Sequence, residues 1–102
     1  MSDASFRIER TDASSVRVSG TIGFADAGDA VKRTDEVFAA NAKDVTVDLG
    51  GVARADSATL GVLLIWAASA AVRGVKLRFA NLPQGLQALA HLCDAEPLLG
   101  LA

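Results

Sequence analysis

VTVDLGGVARADSATLGVLLIWAASAAVR, running from Val45 to Arg73, reads as a strand, a loop and a helix in that order. Val45, Val47 and Leu49 alternate with Thr46 and Asp48, the period of a strand with one buried face. A strand is therefore expected over Asp44–Leu49, with Gly50 and Gly51 punctuating its end. Asp56 and Ser57 stand where the loop gives way to a helix expected from about Ser57 to Arg73. Gly74 is its natural C-cap, because glycine tolerates the left-handed conformation needed there. From Leu60 to Val72 the helix carries no charge and one polar side chain, Ser69. A helix on the surface of a small domain should carry an apolar stripe and a polar face opposite. This one is apolar all round, so it needs more cover than one small domain supplies. A second protein is the expected source.

The rest of the composition narrows what the chain does. Its 102 residues fit one domain, expected over 1–102 with a core from about 6 to 96. Apolar residues make up 51% of the chain and aromatics only 5%, so the core is built from Val, Leu, Ala and Ile. Cys93 is the single cysteine, which rules out an internal disulfide, gives no metal cluster and suits a reducing compartment. A formal charge of -2 does not match a nucleic-acid surface, which would carry a basic excess. The opening MSDASFRIER lacks the apolar stretch of a secretory signal. Ser57–Val72, the longest uncharged run, is too short to span a bilayer comfortably, so no direct membrane insertion is expected. A cytoplasmic location follows as the expectation.

Outside the central stretch, Phe6–Arg10 and Ser15–Gly20 alternate apolar and polar residues around a turn at Thr11–Ser14, which predicts a hairpin. Thr21–Gly28 reads as a glycine-rich loop. Ala30, Val31, Thr34, Val37 and Phe38 recur at helical spacing within Gly28–Ala40, with Lys32, Arg33, Asp35 and Glu36 outward. Val75–Phe79 alternates into another strand. Pro83 fits the first turn of a last helix that points Leu86, Leu89, Ala90 and Cys93 inward and ends before Pro97. The order is β-β-α-β-α-β-α, an α/β arrangement with parallel crossovers joined to an N-terminal antiparallel hairpin.

Two places are candidates for function. Ser57 opens the long helix, where a phosphate would meet the positive end of the helix dipole beside Asp56. The same residues also read as a plain helix cap. On the helix itself, spacing turns Leu60, Leu63, Leu64, Ala67 and Ala71 toward the sheet and Val62, Trp66, Ser69 and Arg73 away. Trp66, the only tryptophan, would then anchor a partner, since tryptophan is enriched in binding hot spots. The other reading is that a further element covers Trp66, or that the helix is rotated. Enzyme chemistry finds no footing: His91 has no motif partner, Cys93 lies on the apolar side of its helix, and no metal-ligand spacing or phosphate-binding glycine loop is present. No cofactor and no metal are expected.

The segment V-D-L-G-G-V-A-R-A-D-S-A-T-L-G-V-L-L from Val47 to Leu64, together with the order of elements, resembles the STAS domain. That family's signature is a strand ending D-L-(S/G)-x-V, a short loop, then D-S or D-T opening a helix. The resemblance covers about Phe6 to Glu96. It implies a single STAS domain, with helices packed on a mixed sheet. Two branches of the family compete. In anti-sigma-factor antagonists, the serine at the position of Ser57 is phosphorylated by a kinase that also sequesters a sigma factor. In the Mla phospholipid-transport system, the small MlaB-type subunit binds the cytoplasmic ATPase through the same loop and helix. Antagonists usually read D-S-(S/T)-G-L, where this chain has Ala58 and Thr59, and Gly23 stands where they carry an acid. The compact length and the alanine-rich helix are more similar to the MlaB type. That resemblance implies a non-enzymatic subunit of an MlaFEDB-type ABC phospholipid transporter maintaining outer-membrane lipid asymmetry, held at the inner membrane by its ATPase partner. It also implies a contact through Asp56, Ser57, Ala58, Thr59, Gly61, Val62 and Trp66. The alternative is an antagonist switched by phosphorylation of Ser57, with an anti-sigma-factor kinase as partner.

Overall fold

The computed structural model describes residues 6–38 and 42–100. The chain opens with the expected hairpin. β1 (Phe6–Asp12) and β2 (Ser15–Thr21) pair antiparallel, with Ile8 opposite Val18 and Arg10 opposite Val16. Asp12 closes the turn by accepting from the Ser14 N–H at 2.8 Å, the local bond that makes aspartate a turn residue. β3 (Asp44–Arg54) lies parallel to β2, and β4 (Lys76–Ala80) lies parallel to β3, in the order β1-β2-β3-β4. Val16, Val47 and Phe79 fall at one level across the three parallel strands.

Strand alternation sets the two faces of this sheet. Val16, Val18, Val45, Val47 and Leu49 are buried, while their neighbours Arg17, Lys76 and Arg78 are exposed and Thr46 and Asp48 half-buried. Each parallel step, β2 to β3 and β3 to β4, needs a right-handed crossover, and both steps run the same way across the sheet. The crossing helices therefore stack on one face, leaving the other polar and open. These are α1 (Phe24–Lys32), with the short α2 (Thr34–Val37), and α3 (Ser57–Arg73); α4 (Gln84–Leu92) follows β4. Ile22, Leu63, Trp66 and Leu86 fill the space between the layers.

Three elements differ from the sequence reading. The first helix starts at Phe24, four residues before Gly28, because Gly23 caps it: the Gly23 N–H bonds the Asp26 carboxylate at 3.2 Å. It breaks at Arg33, where the Thr34 hydroxyl takes the Val31 carbonyl, then resumes as α2; the end expected at Ala40 lies outside the described residues. β3 runs through both glycines to Arg54. Asp48 turns back to accept from the Gly50 N–H at 2.8 Å and from the Asn81 amide at 3.0 Å, and the pairing with β2 shifts register there. A Cβ on Gly51 would sit 2.7 Å from the Ser19 Cβ, so only glycine allows β2 and β3 this close. The Asn81 amide, then the Gly50 N–H, hold the Asp48 carboxyl below its usual range, helped by the Arg17 charge. The third difference is Cys93, which is exposed just beyond α4 and so lies outside the core.

α3 ends as the sequence implies. Gly74 adopts φ 69°, and the Val75 N–H reaches back to the Ala70 carbonyl at 2.8 Å.

Candidate functional site

The site begins where β3 hands over to α3. Asp56 is the N-cap: its Oδ1 accepts from the backbone N–H groups of Ala58 (2.9 Å) and Thr59 (3.2 Å). Thr59 answers by accepting the Asp56 N–H on Oγ1 at 3.2 Å, so the two residues form a reciprocal capping box. The Thr59 hydroxyl then donates to the Ile22 carbonyl at 2.8 Å. Thr59 is a buried polar side chain, and this bond joins the loop after β2 to the start of α3. A buried hydroxyl is stable only when paired, so the two loops are fixed to one another by the same atom that completes the cap.

Around this joint the expected site residues separate into two groups. Asp56 and Ser57 are exposed and Gly61 is half-buried, all at the loop edge or on the outer side of the first turns. Ala58 and Thr59 are buried beneath them. Val62 and Trp66 are 1% and 0% exposed, inside the core. The expected outward direction of Val62 and Trp66 is thus corrected: α3 is rotated so that Thr59, Val62, Leu63, Trp66 and Ala70 face inward. The cause is physical. Thr59 must reach the Ile22 carbonyl, and every residue three, four or seven positions on follows it into the core. Trp66 is buried with its indole Nε1 unpaired among the described residues.

The rotation leaves a different outer face. Ser57, Gly61, Leu64, Ile65, Ala68 and Val72 lie along it at helical spacing, with Ile65 46% and Val72 87% exposed. No charge interrupts it between Asp56 and Arg73. Arg73, at its far end, bonds Asp35 and stacks over the Phe38 ring at 5.0 Å. Beside the stripe, Leu64, Ala67, Ala68, Ala71 and Leu98 line an apolar hollow of about 320 Å³. Leu98 is 67% exposed, and Phe24, two residues beyond Ile22, is 77% exposed. Sequence reasoning missed Ile65, Ala68, Val72, Leu98 and Phe24 as surface. The available signal was Ser57 itself: stepping by three and four from that loop-edge residue gives 61, 64, 65, 68 and 72.

Chemically, the arrangement offers a surface for contact. Among the described residues, no group of three or more His, Cys, Asp or Glu is placed to hold a metal. His91 bonds Glu96 at 3.1 Å on the exposed side of α4, away from the capping box. Within the described residues, no helix is long and apolar enough to cross a membrane.

Comparison with known proteins adds two findings. A family model described as "Mlab, STAS domain" matches residues 6–100. Among solved structures, the anti-sigma factor antagonist SpoIIAA in its unphosphorylated form shares the fold with a TM-score of 0.67. That match covers 91% of this chain and 84% of SpoIIAA at 11% sequence identity. No curated protein matches the chain.

Proposed function

The chain belongs to the STAS family, in its MlaB-type branch, and from that premise we propose that it is a non-enzymatic subunit of an MlaFEDB-type ABC phospholipid transporter. In this reading it binds the cytoplasmic ATPase, stabilising or regulating it, and is held at the inner membrane only through that partner. The transporter would serve outer-membrane lipid asymmetry. The observation that carries the proposal is the uncharged outer face of α3, which starts at the exposed Asp56–Ser57 edge and ends at Val72. Monomeric soluble proteins rarely leave contiguous apolar surface of this kind uncovered.

Contact residues follow from exposure. Asp56, Ser57 and Gly61 would touch the ATPase directly, joined by Leu64, Ile65, Ala68 and Val72. Ala58, Thr59, Val62 and Trp66 would act from beneath, holding the helix at its observed rotation. Gly61 has no neighbour within 4 Å of where a Cβ would project, so a partner backbone can approach there closely. The test is co-purification from native membranes with a tagged chain. An ABC ATPase and permease are expected with the parent and lost with Ile65→Arg; recovery of the ATPase by both chains equally would refute this placement of the contact.

The second reading is an anti-sigma-factor antagonist switched at Ser57, favoured by the SpoIIAA likeness in fold. Ser57 is exposed and open to a kinase. Against it, Ala58 and Thr59 stand where antagonists usually read (S/T)-G, and Gly23 stands where they carry an acid. Intact-mass measurement of the chain from its native cell distinguishes the readings: a single unmodified species across growth conditions would contradict the switch.

A further inference from the structure

We draw no further inference here: the strongest candidate, the apolar hollow that Leu64, Ala67, Ala68, Ala71 and Leu98 line beside the outer face of α3, is an unpartnered apolar surface, and nothing in the structure shows what covers it.

Discussion

Thr59→Val tests whether one buried hydroxyl holds the two loops of the site together. The Thr59 side chain is fully buried; its Oγ1 donates to the Ile22 carbonyl at 2.8 Å and accepts from the Asp56 N–H at 3.2 Å. Valine keeps nearly the same volume and exchanges the hydroxyl for a methyl, so the change removes both bonds with little effect on packing. Each neutral hydrogen bond contributes about 1 kcal/mol net, and leaving the Ile22 carbonyl buried without this partner adds up to about 1 kcal/mol more. A loss of about 2–3 kcal/mol is expected. With a urea slope of about 2 kcal/mol/M for a domain of this size, the unfolding midpoint should fall by roughly 1 M. Thr59→Ser supplies the control: it keeps the hydroxyl and loses one methyl, worth about 1 kcal/mol. Valine should therefore be the more damaging of the two despite being the more apolar. A midpoint shift below about 0.3 M for Thr59→Val, or a larger loss for serine, would refute the reasoning, because it would mean the Ile22 carbonyl is satisfied elsewhere.

Three further expectations follow from the packing. Trp66 should emit at short wavelength and resist iodide quenching in the native chain, and Trp66→Ala should cost about 3–5 kcal/mol of stability in chemical denaturation; red-shifted, readily quenched emission would contradict its burial. Gly61→Ala should stabilise the isolated domain by about 0.5–1 kcal/mol, since a Cβ there meets nothing, while weakening ATPase binding; calorimetry and a binding assay should move in opposite directions. The Asp48 carboxyl titrates below its unfolded value of about 3.9. Its contribution is therefore present above that pH and is lost as pH falls through the folded value. Parent and Asp48→Asn should accordingly differ in urea midpoint at neutral pH and converge in acid, and a constant difference across that range would contradict the link to Asn81 and Gly50.

Where the sequence speaks through local rules, the fold follows it closely. Alternation at Val45, Val47 and Leu49 marks the inner face of β3, Asp56 caps α3 and Gly74 ends it, all within a few residues of backbone. The rotation of α3 was a different problem. A helical wheel needs a polar face to show which side is outward, and Leu60–Val72 offers only Ser69. The residue that sets the rotation, Thr59, does so through a carbonyl 37 positions away, a partner no local pattern reveals. Trp66 followed the same logic: hot-spot preference argued for the surface, while its place about two turns beyond Thr59 put it in the core. The early start of α1 was hidden because Gly23 carries no capping side chain, and Asp26 does that work from inside the helix. Asp56 and Ser57 were identified at the surface because the loop edge itself is visible in sequence.

The central claim is that the outer face of α3 is the contact with the transporter ATPase. The measurement that tests it most directly is the affinity of the cognate ATPase for the parent chain, Ile65→Arg and Val72→Arg, with the fold of each checked by thermal melting. An exposed anchor at the centre of such an interface is worth about 2 kcal/mol or more, so Ile65→Arg should bind at least ~30-fold more weakly with an unchanged melting temperature. Equal affinities for all three chains would contradict the account.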